Sequence, residues 1–324
     1  MALKNKVILV TGGTGSFGQK FTEIVLKEHN PKVIRIFSRG EFLQDQMSQK
    51  FGKEDRLRFF IGDVRDRERV YRAMQGVDIV VHAAALKQVP ICEYNPIEAK
   101  RTNIDGAMNI VDAAIDCGVH KTIAISSDKA VHPVNLYGAT KLVMEKIVVQ
   151  SNVYAGTDDI RFSCVRYGNV VGSRGSVVPL FMQQAKTGVV TITDERMTRF
   201  WITLEEGVRF VINCLERMRG GEIFIPRIPS MKVTDVADVI APGAARRIIG
   251  IRPGEKLHEA LLTDDEIRHT YELDDCYIVE PEFHFWQNDH LMQNRVCSPG
   301  FKYSSDSNTR WLTREEFKQM VNNL

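Results

Sequence analysis

The sequence predicts a doubly wound α/β fold on a parallel sheet, joined to a smaller, discontinuous lobe. Three observations carry that prediction. Short β-branched runs alternate with longer helix-forming stretches through the first half of the chain. A turn with glycines at three-residue spacing joins the first strand to the first helix. After Gly168 the rhythm gives way to Gly, Pro and Thr-rich segments and returns only once, near 204 to 226. The predicted division is residues 1–170, rejoined by about 199–227, for the sheet domain, and 171–198 with 228–324 for the lobe.

In chain order the strands are "KVILVT", "KVIRIF", "RLRFFIG", "DIVVHAA", "KTIAIS", "RFSCVRYG" and later "GGEIFIP". Helices are expected over 17–28, 66–75, 95–117 and 137–153, long enough for right-handed crossovers between parallel strands. The final stretch, "TREEFKQMVNNL", opens with Thr313 followed three residues on by Glu316, a capping box.

Composition narrows the classes. The chain has 324 residues, 44% of them hydrophobic, with a formal charge of +2 and an isoelectric point near 8.2. Basic residues are spread among acids, so neither nucleic acid nor an anionic membrane is expected as a partner. No apolar run approaches the ~18 residues of a spanning helix, and the first strand begins too early for a signal segment. Six cysteines without a CxxC pair suggest no disulfide framework and no zinc site, which fits a reducing cytoplasm. The histidines do not group at metal-ligand spacing, so no metal is expected. His82, at an apolar strand end, reads as a satisfied core histidine. The aromatic stretch "FHFWQNDH" (283–290) reads as packing or a subunit contact.

The turn "TGGTGSFG" places Gly12, Gly15 and Gly18 between a strand and a helix. Such glycines permit a tight turn and close approach to a pyrophosphate, which then sits on the helix N-terminus. The second strand ends "IFSRGE", where an NAD-selective site usually carries an acid for the ribose 2'-hydroxyl. Ser38 and Arg39 stand there instead, a pair suited to a 2'-phosphate, so NADP is the expected cofactor. In "GDVRD", Asp63 and Val64 are placed to meet the adenine, Asp63 being also a candidate cap for the next helix. Tyr137 and Lys141 form YxxxK and share one helix face. A lysine ammonium there is expected to draw the phenol from ~10 towards neutrality. Lys87, just after the fourth strand, can approach both cofactor and substrate.

At this point the chain resembles an extended short-chain dehydrogenase/reductase of the group that modifies nucleotide sugars. Within it, "GGTGSFG", "FIGDVRD", "HAAALKQVP", "SSDKA", "NLYGATK", "RYGNVVGSRGSVVP", "MTRFW", "IPSMK" and "RPGEKLHE" resemble the inverting UDP-N-acetylglucosamine 4,6-dehydratases of pseudaminic acid synthesis. The related C5-epimerising dehydratases commonly carry methionine at the position of Tyr137. The resemblance implies a Rossmann domain and an NADP site that adds Thr14, Ser16, Phe17, Glu41, Ala83, Thr102, Asn103 and Val170 to the residues above. It also implies a UDP-N-acetylglucosamine site from Lys87, Asn169, Arg174, Ser176, Val177 and Val178. Arg199 and Arg252 would meet the diphosphate or uridine, and Glu255 the ribose. A homo-oligomer, often a hexamer in this group, is implied as well.

The implied chemistry has three steps. Tyr137 takes the C4 hydroxyl proton during oxidation, Lys129 removes the C5 proton, and Asp128 protonates the departing C6 hydroxyl. Familiar hexose dehydratases carry Asp-Glu at the last two positions. An amine in the second requires a lowered pKa, for which Lys87, Lys141 and the nicotinamide are the expected causes. Two readings remain beside this one: a UDP-sugar C4 or C5 epimerase, which shares the cofactor site but leaves "SSDKA" without a task, and a non-catalytic NADP-binding regulator, which usually loses YxxxK.

Overall fold

The computed structural model describes residues 3–156, 159–173, 175–281, 295–298 and 300–323. Through the first half, β1 (Val7–Thr11), α1 (Ser16–Glu28), β2 (Val33–Ser38), α2 (Glu41–Phe51), β3 (Leu57–Ile61), α3 (Arg67–Met74) and β4 (Ile79–His82) alternate in order. α4 (Val89–Tyr94) precedes the helix expected over 95–117, which forms as a continuous helical run of α5 (Pro96–Lys100), a π-helical turn at Arg101–Asp105 and α6 (Gly106–Asp116). Pro90 and Pro96 sit in the first turns of α4 and α5. Then come β5 (Lys121–Ile125), a 3-10 turn at Asp128–Ala130, α7 (Leu136–Tyr154) and β6 (Arg161–Val165).

The second half holds β7 (Asn169–Val170), α8 (Val177–Ala185), β8 (Val189–Ile192), β9 (Thr198–Ile202), α9 (Leu204–Arg217), β10 (Ile223–Pro226), β11 (Ser230–Lys232) and α10 (Val233–Ile240). It closes with β12 (Ala245–Ile248), β13 (Thr270–Glu272), β14 (Cys276–Val279), β15 (Arg295–Val296) and α11 (Arg314–Asn322). Thr313 caps α11 in a capping box with Glu316, as the sequence predicts.

The main sheet runs β15-β13-β14-β10-β6-β5-β4-β1-β2-β3. Its seven strands from β10 to β3 are parallel, and β1, buried at every residue, pairs Val10 with Ile36 on one side and Val81 on the other. The order reverses between β1 and β4, the topological switch point at which open α/β sheets bind ligands. Antiparallel β14 covers β10 and carries β13 and β15 outward. Residues 228–324 are therefore divided: part extends the main sheet, while α10 and α11 pack in a second core around Trp201, Phe181 and Phe317. "FHFWQNDH" lies outside the described residues.

Candidate active site

The wall of the site begins where β1 ends. Gly12 has φ +64°, and a Cβ there would stand 3.0 Å from the Ala84 backbone, so the turn packs directly against the loop after β4. α1 starts behind Gly15 with no side-chain cap, which leaves the N–H groups of its first turn for an anion. A cleft of about 1130 Å³ runs from this turn past the ends of β4, β5 and β6 into the second core region. That exceeds the ~300–1000 Å³ of an ordinary small-molecule site, giving room for a dinucleotide and a second nucleotide together.

Most of the sequence-predicted residues meet on this cleft: Gly12, Thr14, Gly15, Ser16, Phe17, Ser38, Arg39, Asp63, Val64, Ala83, Lys87, Thr102, Asp128, Lys129, Tyr137, Lys141, Asn169, Val170, Ser176, Val177, Arg199, Arg252 and Glu255. Four do not line it. Gly18 lies behind the turn, where any side chain would strike Gly13. Glu41 opens α2 outside the wall, and Val178 is buried in the second core. Asn103 works from within, its side chain accepting from Leu86 N at 2.8 Å and donating to Leu86 O at 2.9 Å and Thr140 Oγ1 at 3.0 Å. It fixes the loop that carries Lys87. Arg174 lies outside the described residues.

The cofactor end fits a dinucleotide. Besides the uncapped helix, Thr102 Oγ1 and Ser126 Oγ are buried on the cleft with no hydrogen-bond partner among the described residues. Ser38 ends β2 with its hydroxyl accepting from Gln44 Nε2 at 3.0 Å, and Arg39 is exposed, 3.8 Å from Asp63. The cap of α3 is Asp66, which accepts from Arg69 N, so Asp63 is not that cap. Burial works to raise the Asp63 carboxyl, but the Arg65 guanidinium at 2.6 Å holds it below its ordinary range.

At the reactive end, Asn135 caps α7 through Gly138 N, and Gly138 lets the helix lie against the Asp128–Lys129 turn, since a Cβ there would overlap the Lys129 carbonyl. This brings Tyr137 beside Asp128 and Lys129. Two electrostatic expectations need correction. Burial pushes the Tyr137 phenol up to about 12 against the opposing pull of Ser127 and Lys129. Lys141 does not act on it here: its Nζ donates to the Ile125 carbonyl at 2.6 Å, and burial pushes its own pKa down to about 8. Lys129 is likewise not lowered. Burial acts in that direction, but the charges of Asp128 and Glu259 outweigh it and raise the amine.

Lys129 Nζ stands 2.9 and 3.0 Å from the two Asp128 oxygens, 3.3 Å from Asn169 Oδ1 and 3.3 Å from Glu259 Oε1. Asp128 is buried, which raises its carboxyl despite the neighbouring ammonium. Ser127 Oγ donates to Asp128 Oδ1 at 2.8 Å. Arg199, expected at the anion, commits its guanidinium to the carbonyls of Thr198, Lys256 and Leu257 and lies 3.9 Å from Glu259. His82 is buried, bonded to Thr11 Oγ1 at 2.8 Å and pushed down to about 3 by burial, a satisfied core histidine. Ser127 and Glu259 were missed as site residues. The "SSDKA" and "RPGEKLHE" motifs contain both, but only the fold brings Glu259 to Lys129.

The strand order, the glycine turn and the cleft define a Rossmann-type α/β fold with a site shaped for a dinucleotide. Within that fold the chain belongs to the polysaccharide biosynthesis protein family, whose pattern matches residues 8–281. It is 51% identical to a UDP-N-acetylglucosamine 4,6-dehydratase (inverting) of Campylobacter jejuni, over 98% of this chain and 97% of that one. It is 41% identical to a protein of Rickettsia canadensis named UDP-glucose 4-epimerase, over 98% and 95%. The X-ray structure of Pen from Bacillus thuringiensis superposes over the whole of both chains with a TM-score of 0.91 at 38% identity. Among the described residues no helix is long and apolar enough to cross a membrane.

Proposed function

We propose that this chain is an NADP-dependent, C5-inverting UDP-N-acetylglucosamine 4,6-dehydratase, a hydro-lyase. Its product would be UDP-2-acetamido-2,6-dideoxy-β-L-arabino-hex-4-ulose, the first intermediate towards pseudaminic acid and glycans such as those of flagellin. The observation that carries the reading is the convergence of Tyr137, Asp128 and Lys129 on one cleft. A C4 epimerase needs only the first. The Campylobacter relative's name supports the substrate and the stereochemistry. Free cysteines support a cytoplasmic enzyme, and exposed Ile91, Tyr94 and Ile97 on α4 and α5 support self-association.

The glycine turn, Ser38, Arg39 and Lys141 would hold NADP, whose nicotinamide, when bound, would supply the hydride acceptor for C4 and the hydride donor for C6. Tyr137 receives the C4 hydroxyl proton, and because burial opposes the free phenolate, Lys141 is assigned to favour it when the ribose is present. The resulting ketone acidifies C5–H. The Asp128–Lys129 ion pair then becomes an acid and a base by moving one proton across the 2.9 Å hydrogen bond from Nζ to the carboxylate. Lys129 takes the C5 proton, the electron pair forms the C5–C6 double bond, and Asp128 gives its proton to the C6 hydroxyl, which leaves as water. The pair ends where it began, as ammonium and carboxylate. The raised proton affinity of both groups is thus compatible with catalysis, since no free amine is needed at rest. A solvent proton delivered to C5 from the opposite face inverts the centre, and Tyr137 releases the C4 hydroxyl proton to solvent, so the enzyme returns to its starting state with one water lost.

The Rickettsia relative's name favours a second reading, a UDP-sugar C4 epimerase. Incubation with UDP-N-acetylglucosamine separates the two. A dehydratase yields a product 18 mass units lighter, the loss of one water, with 4-keto absorbance; recovery of a C4-epimerised sugar of unchanged mass would overturn the proposal.

A further inference from the structure

Glu259 has no part in the scheme above, yet it is a buried carboxylate on the cleft beside Lys129. It comes from the far end of the "RPGEKLHE" segment. Oε1 is 3.3 Å from Lys129 Nζ, and Oε2 is buried without a hydrogen-bond donor, 3.5 Å from Lys256 Nζ. The segment is tied to the catalytic turn at two other points. Lys256 Nζ donates to Val131 O at 2.5 Å, and Asn135, the cap of α7, donates to Gly254 O at 2.7 Å. Arg252 and Glu255, at its near end, line the same cleft. One short stretch therefore spans from the nucleotide side of the cleft to the amine that takes the C5 proton.

We propose that Glu259 is a positioning residue for the elimination step, holding Lys129 Nζ between Asp128 and Asn169 and serving as its lasting counter-ion while Asp128 gains and loses its proton. This rests on the dehydratase reading. During elimination Asp128 begins protonated, so the carboxylate left to receive the new ammonium is Glu259. The environments of the two acids diverge in that direction. Burial raises Asp128, whereas Lys129, Arg199 and Lys256 overcome burial and lower Glu259.

The test is Glu259→Gln, which keeps the shape and removes the charge. The groups facing Lys129 are Asp128 on its own turn, Glu259, Lys256 and Arg199 from the second half of the chain, Lys87 from the loop after β4, and Tyr137 from α7. Removing an anion from this set lowers the proton affinity of both Asp128 and Lys129, so the acid limb of C5 exchange should move to lower pH. The exchange rate in deuterium oxide should fall about 10- to 100-fold, the scale of a misplaced reacting group. Single-turnover oxidation at C4 should stay within about threefold of the native rate. Glu259→Asp, which keeps the charge but retracts it, should restore the pH limb and only part of the rate. If Glu259→Gln does not fold, the Asp variant carries the test through the same split between C5 exchange and C4 oxidation. An unmoved limb with native exchange, or equal loss of oxidation and exchange in either folded variant, overturns the role. Absence of C5 exchange in the native chain overturns the dehydratase reading itself, and the Glu259 role with it.

Discussion

Two charge clusters interleave along the chain and serve opposite ends. In the first, Arg166 uses all five guanidinium N–H groups. Nε and one Nη bond Glu145 at 3.0 and 2.6 Å, Glu266 receives two bonds at 3.0 and 2.9 Å, and the Leu261 carbonyl the fifth at 2.9 Å. Every donor is answered. In the second, Lys129 reaches Glu259 and Asn169 only at 3.3 Å, its side chain is 23% exposed, and Glu259 keeps an oxygen without a donor. A closed network resists change. An under-bonded one on a cleft can pass protons, and so the completeness of hydrogen bonding separates a staple from a working site.

The staple predicts the largest effect. Arg166 follows β6, Glu145 lies one turn beyond Lys141 on α7, and Glu266 opens the 3-10 turn Glu266–His269 before β13, so the cluster locks the catalytic helix to the sheet. Arg166→Met strands buried Glu145 and half-buried Glu266 and should lower the unfolding free energy by about 3–5 kcal/mol, read by chemical denaturation. Asp128→Asn leaves Lys129 with Glu259 and should change that free energy by less than about 1 kcal/mol while dehydration falls ~10²- to 10⁴-fold. Comparable destabilisation by the two variants would erase the distinction between the clusters.

A smaller effect is expected at the far end of the cleft. Arg39→Asp removes the proposed partner of the 2'-phosphate and supplies an acceptor for a ribose hydroxyl. A charge-assisted bond contributes about 1.5–3 kcal/mol, so the NADP-to-NAD preference should fall ~10- to 100-fold. Equal change in both affinities, measured by titration, would place Arg39 with Asp63 as a surface pair.

Much of this arrangement was legible in the sequence because it is local. The strand–glycine–helix turn, YxxxK on one helix face, and adjacent Asp128 and Lys129 each lie within about a dozen residues, where periodicity and spacing speak directly. What was not legible is what long-range packing decides. Lys129 was expected to be lowered by nearby cations. The anion that raises it, Glu259, arrives from 130 positions along the chain. Arg199 looks like an anion ligand in "MTRFW" until the fold turns it onto carbonyls. α4 and the π-helical turn were hidden for a different reason, as a six-residue helix is too short for its periodicity to show and the π turn leaves the 95–117 helix continuous.

The central claim is that Tyr137 and the Asp128–Lys129 pair serve separate steps on one sugar. Lys129→Ala tests it most directly, with substrate recovered from deuterium oxide analysed by mass spectrometry and nicotinamide reduction followed by absorbance in a single turnover. The account predicts near-native oxidation at C4 together with C5 exchange slowed ~10²- to 10⁴-fold. Rapid C5 exchange by this variant would contradict it and leave Lys129 as no more than the ion-pair partner of Asp128.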